Sequence, residues 1–304
     1  GAALVFTTVN LLGTFVFVLS VAGVYHVTGT LEMASIARRL DDVNPNAAVL
    51  IAVGFFVAFG VKLGLFPFHF WLPTVYTGAR PAVAAILSGG LANIGAYGLL
   101  RFGAELLPRE LELAATALIV IGCASILYGG LLAVSRRTSA ETLAYSAIGQ
   151  VGYILVAIGV GGPAGFAAAI VYTIVNALNK TLLFLTAELR GALVGAAFVL
   201  GAFSVAGVPP AAGFVGKLEL FRATAGSPAL LALIFLGGLL SFVYMFQIYQ
   251  YDFWRGERTG RRAARAQQAL AGALALVVLA AGAWPEPLLA FSRDAAAVLV
   301  GAAS

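Results

Sequence analysis

The sequence predicts an all-α integral membrane protein of about nine transmembrane helices, two of them broken. Three observations carry that prediction. The 304 residues are 61% hydrophobic and only 10% charged, with a mean hydropathy of +0.99; soluble domains carry about 25% charged residues. The apolar residues fall in runs that match the length a helix needs to cross a bilayer, about 20 residues. The only three lysines, Lys62, Lys180 and Lys217, all lie inside those runs, while the other basic residues, from Arg38 to Arg293, are arginines that mostly occupy polar connections.

The predicted spans run roughly 4–27, 46–68, 80–102, 112–134, 142–161, 164–188, 192–224, 229–254 and 268–291. Their connections are short and polar, as in Ser135-Arg136-Arg137-Thr138-Ser139, and the longest basic stretch runs from Arg255 to Arg265. The segment Leu31 to Leu40 is too short to span; with Arg38 and Arg39 beside apolar residues it reads as an interfacial helix. Trp71, Trp254 and Trp284 all fall near predicted span ends, where an aromatic belt is expected. The single cysteine, Cys123, lies in an apolar run and reads as a small core residue. No secretory signal with a cleavage site is visible, and the chain, which opens Gly1-Ala2-Ala3, reads as a fragment or a processed chain.

Arginine placement orients the chain. Loops after even-numbered spans carry Arg80, Arg136, Arg137, Arg190, Arg255, Arg258, Arg261, Arg262 and Arg265; the other side carries Arg38, Arg39, Arg101, Arg109, Arg222 and Arg293. The positive-inside rule puts the first set in the cytoplasm. The net charge of +5 is therefore an orientation signal and not a nucleic-acid face. His26 and His69 are far apart and there is no cysteine pair, so no metal site is expected. No phosphate loop or dinucleotide fingerprint occurs, so no cofactor is expected either.

The lysines point to chemistry. An ammonium in low dielectric gives up its proton more readily than one in water, whereas a guanidinium does not. Ionisable groups inside membrane spans are functional candidates. A protein that moves protons or cations follows from this pattern. Two spans are interrupted beside a lysine: Pro67 comes five residues after Lys62, and Gly207-Val208-Pro209-Pro210 precedes Gly213 and Lys217. Proline removes a backbone donor and kinks or breaks a helix. A broken helix at membrane depth is tolerated only where it is buried in protein or lines a cavity, and paired interruptions point to a transport site between inverted repeats. The spacing of the breaks fits a repeat of five helices. Asn176 and Lys180 lie four apart on one helix face. Asn93 interrupts the third span, either as interhelical glue or as part of a polar path. His69, in Phe66-Pro67-Phe68-His69-Phe70-Trp71, is a further titratable candidate. Glu219, two residues from Lys217, diverges from it on a regular helix.

At these residues a family resemblance appears. Val61-Lys62 through Phe66-Pro67-Phe68-His69-Phe70-Trp71-Leu72-Pro73 resembles the lysine-bearing broken helix of antiporter-like membrane subunits. Leu143-Ala144-Tyr145-Ser146-Ala147-Ile148-Gly149-Gln150-Val151-Gly152-Tyr153 is similar to their LAYSSISQxGY stretch, and Ala206 to Lys217 resembles their AGxPPxxGFxxK element. The superfamily includes the A-type and D-type subunits of Mrp cation/proton antiporters and the proton-pumping membrane subunits of respiratory complex I and membrane-bound hydrogenases. Asn179-Lys180-Thr181-Leu182-Leu183-Phe184 and Tyr251-Asp252-Phe253-Trp254 lean towards the D-type Mrp subunit.

The resemblance implies a proton-conducting subunit of a multi-subunit Na+/H+ antiporter; the alternative is a proton-pumping, non-redox subunit of a complex I-like NADH:quinone oxidoreductase or membrane-bound hydrogenase. A solute carrier holding an anionic substrate on its lysines is a third reading. The chain reads as a transporter subunit more than as an enzyme. The implied partners are other membrane subunits, protons, Na+ and the lipid bilayer of a bacterial inner or plasma membrane. The implied fold has fourteen core helices in inverted five-helix repeats, of which the nine spans would be the sixth to fourteenth. The first five, including the helix whose glutamate pairs with Lys62, would then be missing. On that reading residues 1–111 hold the remainder of the first repeat with the segment before it, 112–254 the second repeat, and 255–304 a basic cytoplasmic loop and a C-terminal helix. Lys62, Lys180 and Lys217 would relay protons, supported by Asn93, Asn176, His69, Tyr145, Ser146, Gln150 and Glu219, with helix breaks at Pro67, Pro209 and Pro210. Family members commonly carry lysine or histidine where this chain has Asn93, and some carry histidine at Asn176, so water would bridge there.

Overall fold

The computed structural model describes residues 1–40, 43–187, 189–254 and 261–301. The chain is almost wholly helical. We number the helices α1 Ala2–Thr28, α2 Met33–Leu40, α3 Pro45–Leu63, α4 Trp71–Gly78, α5 Pro81–Leu106, α6 Pro108–Ser135, α7 Ser139–Val160, α8 Gly162–Thr186, α9 Ala192–Ala206, α10 Ala212–Ala223, α11 Pro228–Trp254, α12 Arg265–Ala283 and α13 Glu286–Gly301. Among the described residues, eight segments are long and apolar enough to cross a membrane, counting α3 and α4 as one. The α9–α10 pair supplies a ninth, broken crossing. The protein is a multi-pass membrane protein.

Local sequence explains where the helices begin. Helices α3, α5, α6, α8 and α11 open with proline in the first two positions, where its missing N–H costs nothing and its φ already suits a helix. The Asn44 side chain caps α3 by accepting from Asn46 N at 2.9 Å. Helix α2 buries Ile36 and Leu40 and leaves its polar face outward, as an interfacial helix should, and Arg39 Nη1 donates to the Thr28 carbonyl at 2.6 Å.

Both breaks are built alike. Helix α3 stops at Gly64 (φ 70°, ψ 33°) and α9 at Gly207 (φ 84°, ψ 38°). Both glycines adopt the left-handed conformation that ends helices and that side chains resist. The Phe66–Pro67 and Pro209–Pro210 peptide bonds are cis. After the first break a 3-10 turn, Phe68–Phe70, leads into α4, so this crossing runs on to Gly78, ten residues beyond the predicted limit of 68.

Helix α7 is the axis of the bundle: nearly all of its residues are buried, whereas α1 is mostly exposed. It packs on α6 through glycines. A Cβ on Gly129 would come within 2.7 Å of Gly149 Cα, and one on Gly122 within 2.8 Å of the Gly152 carbonyl. Only glycine allows two membrane helices to approach so closely. Helix α5 contains two π-helical stretches, Leu87–Leu91 and Leu99–Leu106. At the first, Gly89 lies against α8, where an added Cβ would meet the Ala177 carbonyl at 2.9 Å.

Two expectations need correction. The last predicted span, 268–291, is two helices: α12 ends at Ala283 and α13 starts at Glu286. Trp284 precedes Pro285, and a residue before proline is pushed out of the helical region; Trp284 has φ −130° and ψ 78°. Helix α13 folds back to pack on α8 and the end of α5, burying Ser292, Ala296 and Leu299. Trp71 also leaves the aromatic belt. It is 2% exposed, and its indole Nε1 donates to the Val61 carbonyl at 2.9 Å, while Trp254 and Trp284 are 68% and 73% exposed.

The connections agree with the predicted alternation of sides. Leu189–Arg190, after α8, pairs in parallel with Arg261–Arg262, after α11. Ser139, at the start of α7, hydrogen-bonds Asp252 at the end of α11. Three connections placed on one side by the arginine count therefore meet. Arg255 and Arg258 of that set lie outside the described residues.

Candidate functional site

Three helices bring polar side chains to one place. Helix α7 presents Ser146, Gln150 and Tyr153; α8 presents Tyr172, Asn176 and Lys180; α11 presents Gly237, Ser241 and Tyr244. Each set is spaced at three or four residues, so each forms a stripe along one helix face. The stripes meet inside the bundle, where Lys180, Ser146, Gln150, Asn176, Ser241 and Tyr244 are all buried.

Lys180 is completely buried, and its Nζ donates to Ser146 Oγ at 2.7 Å. Ser146 Oγ lies 2.9 Å from the Tyr244 hydroxyl, and that hydroxyl lies 3.0 Å from Ser241 Oγ. Gln150 Nε2 braces both, donating to Tyr244 at 3.1 Å and Ser241 at 3.3 Å. Its Oε1 accepts from the Tyr172 hydroxyl at 2.6 Å, which fixes the amide orientation. Ser241 donates to the Gly237 carbonyl at 2.8 Å.

Lys217 reaches the same region from the second break. Its Nζ donates to the Ala206 carbonyl at 2.9 Å, a carbonyl left without a helical partner where α9 stops. The ammonium sits 5.2 Å from the centre of the Tyr153 ring, within cation–π range. Ser204 Oγ accepts from Gly213 N at 2.8 Å and so ties the two halves of the break together.

Lys62 is held differently. It is half-buried at the end of α3, and its Nζ donates to Thr14 Oγ1 on α1 at 3.2 Å. At this break the Val61 carbonyl accepts from Trp71 Nε1 at 2.9 Å and from Gly64 N at 3.2 Å, and Phe66 N donates to Ser125 Oγ at 3.2 Å. His69 stacks on Phe66 at 5.5 Å and packs against Tyr128 at 4.6 Å, and its Nδ1 is buried without a protein partner. Among the described residues none of the three lysines forms a salt bridge.

The remaining sequence candidates divide. Ser146 and Gln150 join Lys180 directly. Asn93 Nδ2 donates to the Gly89 carbonyl at 2.7 Å, while Asn93 Oδ1 and Asn176 Oδ1 are buried with no protein donor. Tyr145 points away from the cluster, with the Arg136 guanidinium 4.8 Å over its ring. Glu219 is bound to Arg222 at 2.6 Å, as expected of a side chain that diverges from Lys217. Tyr172, Ser241 and Tyr244 were not among the sequence candidates, nor was Tyr153. A signal existed for α11: Gly237, Ser241 and Tyr244 are its inward-facing small or polar positions in an otherwise apolar run.

The sequence matches the family described as NADH:quinone oxidoreductase/Mrp antiporter, TM, over residues 1–242, and the chain belongs to that family. It is 31% identical over 273 residues to the D-type subunit of the Na(+)/H(+) antiporter of Alkalihalophilus pseudofirmus, covering 83% of this chain and 55% of that protein. It is 29% identical over 310 residues to the putative antiporter subunit mnhD2 of Staphylococcus haemolyticus, covering 92% and 61%. The fold matches a chain in the structure of the Mrp complex from Dietzia sp. DQ12-45-1b with a TM-score of 0.89 and 28% identity, over 98% of this chain and 68% of that one. It also matches a chain of respiratory complex I from Thermus thermophilus with bound NADH, TM-score 0.84, over 100% and 69%; at 24% identity this likeness is one of fold alone. The chain spans 55% and 61% of the two curated relatives' lengths.

Proposed function

We propose that this chain forms the proton-conducting part of a subunit of an Mrp-type multi-subunit Na+/H+ antiporter in the plasma membrane. The observation that carries this reading is the enclosed lysine: Lys180, fully buried, donates into a continuous row of hydroxyls that leads towards Lys217. A buried ammonium without a carboxylate is expensive to keep for structural reasons alone. Its presence at the centre of a membrane bundle marks an ion path.

In the mechanism, Lys62 takes a proton from one side of the membrane, Lys180 relays it, and Lys217 exchanges it with the other side. The left-handed glycine caps Gly64 and Gly207 open the backbone beside Lys62 and Lys217. Between Lys62 and Lys180, the buried Asn93 and Asn176 carbonyl oxygens accept from water and carry the path across the gap. Charging one lysine raises the cost of charging the next, which couples the steps. Ser146 and Gln150 position Lys180 and its neighbours. His69 lies beside the first break as an additional proton-carrying group. Partner subunits cover the face on which Lys62 and the exposed apolar residues of α1 lie. The repeat boundaries at 111 and 254 belong to the same reading and are supported by the two like-built breaks.

The experiment is reconstitution of the full-length protein, in its complex, into vesicles carrying a pH-sensitive dye. Proton movement that depends on a Na+ gradient is the expected result. Proton movement that ignores Na+ and needs a redox substrate would instead place the chain among redox-driven pumps, a reading to which the fold likeness to complex I lends support.

A further inference from the structure

The hydroxyl row beside Lys180 has a fixed polarity, and donor counting reveals it. The Gly237 carbonyl can only accept, so Ser241 must commit its single hydroxyl proton there, at 2.8 Å. At the 3.0 Å contact between Ser241 and Tyr244, the phenol must then donate. With that proton committed, Ser146 must donate to Tyr244 at 2.9 Å. Lys180 donates to Ser146 at 2.7 Å. Gln150 Nε2 only donates, so it leaves this order unchanged. Every proton in the row points away from Lys180, and the row ends on a carbonyl oxygen that cannot pass a proton on.

One group beside that dead end has no assignment. The Tyr153 hydroxyl is buried and makes no hydrogen bond. It lies against Gly237, where an added Cβ would collide with it, and Gly237 is the residue whose carbonyl Ser241 holds. The ring of the same tyrosine lies beneath the Lys217 ammonium. A buried hydroxyl without a protein partner is costly unless a water or a moving neighbour satisfies it.

We propose that Ser241 is a rotary gate: its hydroxyl turns from the Gly237 carbonyl to Tyr153 and so connects the Lys180 wire to Lys217. The proposal rests on the relay reading above. In the open state the Lys180 ammonium gives a proton to Ser146 Oγ, whose own proton passes to the Tyr244 oxygen. The Tyr244 proton passes to Ser241 Oγ, and the Ser241 proton passes to Tyr153. Tyr153 releases its original proton through an intervening water to the Lys217 amine. At each oxygen one O–H bond forms and one breaks, so one proton moves and every hydroxyl is restored, facing the other way. The hydroxyls must rotate back before the next transfer, and the return of Ser241 to Gly237 closes the wire.

The test uses the full-length protein in its assembled complex, in vesicles, with Ser241→Ala, Ser241→Thr, Tyr153→Phe and Lys180→Ala. Tyr153→Phe is the cleanest variant, because it removes a hydroxyl that makes no hydrogen bond in the closed state. We expect Ser241→Ala and Tyr153→Phe to slow proton translocation about tenfold or more, with Ser241→Thr, which keeps the hydroxyl, restoring most of it. If Tyr153→Phe and Ser241→Ala translocate at the wild-type rate while Lys180→Ala is inactive, the gate is wrong and the relay stands. If Lys180→Ala also runs at the wild-type rate, the relay itself falls. Should Ser241→Ala fail to assemble, Tyr153→Phe decides: a wild-type rate overturns the gate.

Discussion

Two lysines sit beside a helix break in this chain, and the two breaks hold them differently. Lys62 precedes its break and stands at the C-terminal end of α3. Lys217 follows its break, but its side chain turns back to the Ala206 carbonyl, the C-terminal end of α9. Both charges therefore meet the negative end of a half-helix, where a cation is favoured. The surroundings differ. Lys62 is half-buried and has a single hydroxyl partner, Thr14, on a helix that is mostly exposed. Lys217 is 4% exposed, lies over Tyr153, and adjoins the hydroxyl row that starts at Lys180. One break presents its lysine at the edge of the chain and the other encloses it. An enclosed break can determine when a proton passes; an edge break depends on what packs against it.

The comparison can be broken most easily at Lys217. In the assembled full-length protein, Lys217→Gln is expected to lower proton translocation about a hundredfold, the scale of a lost proton-transfer group. A wild-type rate would mean that Lys217 only packs and snorkels. The enclosure itself depends on the glycine seam between α6 and α7. Gly129→Leu should destabilise the protein by about 1–3 kcal/mol or more, because a side chain there meets Gly149 and the Tyr145 carbonyl. Gly90, with nothing within 4 Å of an added Cβ, is the control, and Gly90→Leu should leave the thermal midpoint unchanged or raised. Equal melting of the two variants would contradict the seam. Pro210→Ala is a smaller perturbation: it relaxes the second break without touching Lys217, and it should displace the pH profile of translocation while activity persists. An unmoved profile would detach the break from the lysine. The smallest effect is expected at Lys62, where Lys62→Gln should change stability by less than about 0.5 kcal/mol, as for a residue at the edge of the bundle whose one hydroxyl contact an amide can keep. A large drop in melting temperature would show that this edge is better enclosed than Thr14 suggests.

Much of this was legible in the sequence because membrane spans are governed by length. Runs of apolar residues ended by proline, arginine or glycine placed nearly every helix within a few residues. The breaks were legible because Pro67, Pro209 and Pro210 interrupt otherwise continuous apolar runs, and the lysines because there are three and none is in a loop. What escaped was which way a side chain points once helices pack. Tyr145 and Ser146 are neighbours in one motif, yet a helix turns about 100° per residue, and only Ser146 faces Lys180. Ser241 and Tyr244 are isolated polar residues in an apolar run of sequence; what joins them to Lys180 is α7 lying opposite. Trp71 looked interfacial because it falls near a predicted span end, but the break folds it inward onto the Val61 carbonyl. The division at Pro285 was available in the sequence and was masked by the hydrophobicity on both sides of it.

The central claim is that the enclosed lysine must release its proton, not merely hold a charge. Lys180→Arg tests this most directly, because arginine keeps a positive charge of similar reach and does not deprotonate. Proton translocation would be measured in vesicles containing the assembled complex, with assembly checked by gel filtration. The relay predicts an assembled complex that does not translocate protons. An assembled Lys180→Arg complex running at the wild-type rate would contradict it.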